Sequence, residues 1–102
     1  MTAARRYRKM DTMAEKPTLS IEYCQVCNFR SRAAWLAQEV LSALEAELAG
    51  VTLVPGRGGI FEVRIDADVI FSHEREGRFP EPREIKDAVL SKLGRSPTTR
   101  HN

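Results

Sequence analysis

Between residues 29 and 48 the apolar side chains Ala33, Leu36, Ala37, Val40, Leu41, Leu44 and Leu48 recur at spacings of three and four, with no glycine or proline among them. That period predicts one long amphipathic helix. Upstream, residues 18–23 alternate Leu19, Ile21 and Tyr23 with polar Ser20 and Glu22, the period of a half-buried strand. Downstream, Gly50 is placed to end the helix, where positive φ is favoured, and residues 51–54 form a short β-rich run. A helix between two strands must cross over a sheet, and such crossovers are right-handed. The two strands are therefore expected to lie parallel in one sheet, with the helix packed across a face.

Residues 60–65 alternate Phe61, Val63 and Ile65 with Glu62 and Arg64, and residues 69–71 are apolar, so the segment Asp66-Ala67-Asp68 reads as the turn of a hairpin. Carboxylates flanking such a turn accept local backbone hydrogen bonds, which accounts for the acidic pair without a metal. Pro82, the stripe Ile85, Ala88, Val89 and Leu93, and Gly94 mark the start, face and end of a second helix. The order β-α-β-β-β-α fits an α/β fold with a four-stranded mixed sheet covered by both helices, which is the core of the thioredoxin-like class.

A chain of 102 residues, 42% of them hydrophobic, holds one domain. Sixteen Lys and Arg against fourteen Asp and Glu leave a net charge of +2, which argues against nucleic acid as a partner. No stretch approaches the roughly 20 apolar residues of a membrane span, and the N-terminal segment has no apolar secretory core. A cytoplasmic protein in a reducing compartment is expected. Residues 1–17 hold Arg5, Arg6, Arg8, Lys9 and Lys16 against Asp11 and Glu15 without hydrophobic periodicity, and read as a basic disordered tail before a domain at 18–94. Met10 and Met13 are alternative starts that leave this domain intact. Residues 95–102 read as a second flexible tail.

The chemistry is concentrated in Cys24-Gln25-Val26-Cys27, between the first strand and the long helix. Two intervening residues let the sulfurs meet in a tight turn, so the pair can cycle between dithiol and disulfide. Unpaired N–H groups at the helix start favour a thiolate nearby. A zinc half-site and an inert pair are the alternatives. Structural zinc asks for four ligands, however, and only His73 and His101 could join the cysteines, so no metal is expected. Arg30 and Arg32 stand where helices prefer acids. They read either as solvated side chains or as partners of a thiolate or of an anion such as the glutathione carboxylates, and Arg30 is a candidate substrate-binding residue. Three glycines in Pro55-Gly56-Arg57-Gly58-Gly59 precede a strand and lack the Lys-Ser/Thr of a phosphate loop. Gly58 and Gly59 are candidates for bringing open backbone beside the CxxC turn, against the reading of a plain flexible turn. His73 reads as a half-exposed residue at a strand end. Trp35 reads as packing, with a partner surface as the alternative.

Four segments together resemble a known family. They are Ile21-Glu22-Tyr23-Cys24-Gln25-Val26-Cys27, Gly58-Gly59-Ile60-Phe61-Glu62-Val63, Val69-Ile70-Phe71-Ser72-His73 and Gly77-Arg78-Phe79-Pro80. The chain looks like the Rdx group of selenoprotein W, T and H-like proteins, in an all-cysteine form, over about residues 18–94. The resemblance implies a thioredoxin-like fold and a thiol-disulfide role in cell redox homeostasis, with glutathione or a redox partner protein as co-substrate and no bound cofactor. In selenium-containing relatives selenocysteine takes the place of Cys27, whereas a thioredoxin-like turn exposes the upstream sulfur and favours Cys24 as the attacking thiolate. The sequence departs from thioredoxins in having no proline just before the Phe61 strand. A non-catalytic interaction module with redox-regulated docking is the competing function.

Overall fold

The computed structural model describes residues 16–94. Their order is β1 (Thr18–Cys24), α1 (Arg30–Leu44), β2 (Gly50–Gly56), β3 (Phe61–Ile65), β4 (Asp68–Ser72), α2 (His73–Glu76) and α3 (Pro82–Lys92). The strands form one mixed sheet in the order β2-β1-β3-β4, with β1 parallel to β2 and antiparallel to β3, and β3 antiparallel to β4. This is the expected α/β fold. The tails assigned to 1–17 and 95–102 lie outside the described residues except for Lys16 and Pro17. The Pro17 carbonyl accepts the Ala49 amide at 2.8 Å.

Alternation decides which face of the sheet is covered. Leu19, Ile21 and Tyr23 on β1 and Phe61, Val63 and Ile65 on β3 point to one side. There they meet Ala33, Leu36, Ala37, Val40 and Leu44 of α1 and Ile85, Val89 and Leu90 of α3 in a single core. Both helices lie on this side and touch each other. On the opposite face Glu22 and Glu62 are cross-strand neighbours, a repulsive pairing if left alone. Arg64 bridges them, at 3.2 Å to Glu22 and 2.6 Å to Glu62.

Three local expectations change. The long helix stops at Leu44 rather than continuing to residue 48: the Glu47 amide turns back to the Leu44 carbonyl at 2.9 Å, and Leu48 reaches the core from the connecting turn. Gly50 does not cap that helix with a positive φ but opens β2 opposite Thr18. The turn carboxylates do not make local backbone bonds. Asp66 accepts the distant Thr18 amide at 3.1 Å, and Asp68 pairs with Lys92 of α3. Pro55 is accommodated because β2 is an edge strand, where a missing N–H breaks no sheet. The hairpin carries a bulge, because Arg64 pairs with Val69 but Val63 pairs with Phe71, leaving Ile70 as the extra residue.

Candidate redox site

Cys24 is the last residue of β1, and three backbone bonds pin the turn that follows it. The Cys24 amide donates to the Ile60 carbonyl at 2.8 Å, the Gln25 amide to Gly56 at 3.1 Å, and the Phe29 amide returns to the Cys24 carbonyl at 3.4 Å. Asn28 adopts a left-handed φ of 64° and turns the chain into α1. Asn tolerates this conformation better than most side chains. Within the turn Cys24 and Cys27 form a disulfide, with Cα atoms 5.3 Å apart.

The two sulfurs differ in environment. Cys24 is fully buried under the end of the sheet, whereas Cys27 is exposed. Exposure is thus opposite to the expectation that the upstream sulfur is the accessible one. The cause is local: Cys24 still belongs to the strand ladder through Ile60, and Cys27 lies in the turn beyond it. Val26, between them, is 84% exposed.

Next to Cys27 is an open depression of about 380 Å³ lined by Cys27, Asn28, Phe29, Ser31, Arg32, Trp35 and Phe79. Phe29 stands at the N-cap of α1 without a side-chain hydrogen bond, and the first turn contains no acid. Arg30 is exposed in that turn, but Arg32 is the arginine that lines the depression, with its guanidinium 4.1 Å above the Phe79 ring. Trp35 is 50% exposed, so the packing reading fails and this side chain belongs to the surface of the site. Its place in the sequence, one residue before Leu36 of the buried stripe, puts it at the stripe's margin.

Gly58 and Gly59 line a different depression, of about 420 Å³, with Arg57, Ile60, Phe61, Glu62, Ser72, His73 and Glu74. They are not brought into the depression beside Cys27. Their φ values of 71° and 77° make them turn residues, with open space around each. The glycine against the CxxC turn is Gly56. Its carbonyl takes the Gln25 amide, and a Cβ there would come within 2.8 Å of Glu22 and of Ile60. Between the two depressions stands a cluster of Phe29, Phe61, Phe79 and His73. His73 is half-exposed, as expected, and directly follows β4 as the first residue of α2; it stacks on Phe79 with ring centroids 4.3 Å apart. Its Nδ1 is 2.9 Å from the Arg78 carbonyl, an acceptor, so the proton lies on Nδ1. In the sequence Phe79 stands out only as part of the Gly77-Arg78-Phe79-Pro80 segment that carries the family resemblance, with no role assigned to it. Among the described residues no group of three or more His, Cys, Asp or Glu side chains is arranged to hold a metal, and no helix is long and apolar enough to cross a membrane. His101 lies outside the described residues.

A four-stranded mixed sheet with a CxxC disulfide between β1 and α1 defines a thioredoxin-like α/β domain. The Rdx family model matches residues 18–91, and the chain belongs to the Rdx family. A protein of Bordetella parapertussis has a similar structure, with a TM-score of 0.74 and 40% identity over 78% of this chain and 100% of its own. A selenoprotein W-related protein from Vibrio cholerae matches with a TM-score of 0.71 and 37% identity, over 78% of this chain and 98% of its own. Among curated proteins, migration and invasion enhancer 1 of Mus musculus is 32% identical over 71 residues, and that of Bos taurus 31% identical over 71 residues. The match covers 68% of this chain and 58% of each of those relatives.

Proposed function

We propose that the protein is a thiol-disulfide oxidoreductase in which Cys27 exchanges with the substrate and Cys24 resolves the mixed disulfide. The observation that carries this reading is the unequal exposure of a bonded pair: an exposed sulfur can reach another molecule, while a buried one three residues away needs to reach only its neighbour. In the reduced protein the Cys27 thiolate attacks one sulfur of a substrate disulfide, forming the mixed disulfide and releasing one substrate thiolate, which takes a proton from solvent. Cys24 then attacks the Cys27 sulfur, restoring the internal disulfide and releasing the second thiol. The substrate gains two electrons and the cysteine pair loses them. Glutathione, at cytosolic concentrations, is the proposed reductant that returns the pair to dithiol. Family membership supports a redox role for the pair, and Cys27 holds the place that the resemblance gives to selenocysteine in selenium-containing relatives.

Limited alkylation of the reduced protein with iodoacetamide, followed by peptide mass spectrometry, tests the assignment. Cys27 is expected to be labelled first at every pH, and a Cys24→Ser variant to accumulate a mixed disulfide with glutathione that a Cys27→Ser variant does not. Earlier labelling of Cys24 would reverse the roles. The exposed Val26 and Trp35 beside Cys27 favour a second reading, a docking module whose partner binding the cysteines regulate. A cellular phenotype retained by the folded Cys24→Ser/Cys27→Ser variant would favour that module over catalysis.

A further inference from the structure

We infer that the surface around Cys27 selects an acidic segment with aliphatic side chains on a partner protein, and that Arg32 and Trp35 are the residues that set this specificity. The inference rests on Cys27 being the exchanging sulfur.

Charge is the first observation. Arg30 and Arg32 occupy the first turn of α1, where the helix's own positive end also lies, and that turn holds no acid. Neither arginine makes an ion pair with a described residue. Glu39 is the next acid along the helix, nine residues and about 13 Å from Arg30. The Arg32 guanidinium carbon lies 4.1 Å from the centre of the Phe79 ring. A guanidinium over a ring face can still offer N–H groups at its edge, and their fork suits a carboxylate. The Arg32 charge therefore faces the depression that contains Cys27, and no described acidic side chain lines that depression.

Apolar exposure is the second. Val26 and Trp35 are among the few large hydrophobic side chains left exposed among the described residues, and they flank Cys27 in the turn and on the helix. Glutathione carries the carboxylates but has no side chain to cover an indole. A protein segment with a leucine or valine next to its cysteine and a glutamate or aspartate beyond it satisfies both features. The exchange is the one written above, with the partner's disulfide as the bond that breaks.

The experiment follows the first exchange step of the reduced full chain by Trp35 fluorescence or by quenched mass spectrometry. The probes are disulfide-linked dimers of short peptides whose single cysteine is flanked by leucine and glutamate, leucine and lysine, or serine and glutamate, together with glutathione disulfide and uncharged hydroxyethyl disulfide. At low ionic strength the leucine–glutamate peptide is expected to react about tenfold faster than the leucine–lysine one, and the ratio to shrink to about twofold at 1 M salt. Arg30→Glu/Arg32→Glu is expected to invert the ratio. In Trp35→Ala, followed by mass spectrometry, the advantage of leucine over serine is expected to disappear, while glutathione disulfide shows little sensitivity to this change. Because each readout is a ratio within one variant, a general loss of reactivity cancels. Equal rates for acidic and basic peptides, or a preference that survives these substitutions, overturn the inference. Failure of the wild-type protein to react with hydroxyethyl disulfide would instead overturn the assignment of Cys27.

Discussion

Gly56 shows how a single missing side chain supports the redox turn. A Cβ built there lies 2.8 Å from both Glu22 Oε2 and Ile60 Cγ2, and the carbonyl of the same residue holds the Gln25 amide. Gly56→Ala is expected to cost about 1–3 kcal/mol from overpacking. It is also expected to slow exchange at Cys27, because relief of the clash moves the strand end that anchors the turn. Gly58→Ala meets no atom within 4 Å and costs only the left-handed conformation, about 1 kcal/mol, with no effect on the turn. Urea midpoints for the two variants, with exchange rates alongside, check the difference. Equal rates for both would remove Gly56 from the site. The glycine-rich run made a close backbone approach legible, but not which glycine makes it. That depends on where Glu22 of β1 and Ile60, just before β3, come to lie against Gly56, which local spacing does not encode. Trp35 was misread for a related reason. It sits one residue from the buried stripe, and a rotation of that size separates core from surface on a helix.

Among the elements, α3 was legible nearly to the residue, because its signals are local. Pro82 begins it and Gly94 follows the cap with a φ of 78°; of the expected stripe Ile85 and Val89 are buried and Ala88 and Leu93 partly so, while Leu90, which the stripe left out, is buried as well. Its N-terminus is tied down by Glu84, which accepts the Glu81 amide at 2.8 Å and grips the Arg78 guanidinium through both oxygens, at 2.7 and 3.0 Å. The Arg78 hydrogen bonds hold the Glu84 carboxyl below the usual glutamate value of 4.5, against a smaller opposing effect of burial, and the Glu81 amide adds to the lowering. A carboxyl depressed in the folded state contributes stability that is fully present above the unfolded value and lost as pH falls through the folded one. The protein should therefore lose stability below about pH 4.5 in a way that Glu84→Gln does not. With the Glu84 side chain 35% exposed, solvent screening limits the difference between pH 6 and pH 3 to about 0.5–1 kcal/mol. Denaturant midpoints at the two pH values measure it, and parallel losses in both proteins would show that this contact does not contribute. The end of α1 was not legible in the same way. Leu48 continues the apolar period after the helix has stopped, so a buried residue in a turn looks like one more helical position.

At the scale of the whole molecule, element order and the one-sided sheet follow from the alternation of Leu19, Ile21, Phe61, Val63 and Ile65 against Ser20, Glu22, Glu62 and Arg64. The inequality of the two sulfurs does not follow from sequence, because it is set by where the Ile60 carbonyl ends the ladder. That same arrangement bears on whether the fold tolerates its own chemistry. The disulfide joins residues three apart, so it closes a very short loop, and the chain-entropy argument gives it about 2 kcal/mol. The core that covers the sheet is built from Leu19, Ile21, Val40, Val63 and Val89, all fully buried and none dependent on the bond. Reduction is therefore expected to lower the melting temperature by about 10 °C while leaving one cooperative transition, so that the protein stays folded through a full redox cycle. Calorimetry of the oxidised protein and of protein held reduced by a phosphine measures both quantities. A reduced form without a cooperative transition would show that closing the turn, rather than packing the sheet, holds this end of the molecule together, and a cycling dithiol would then be incompatible with the fold.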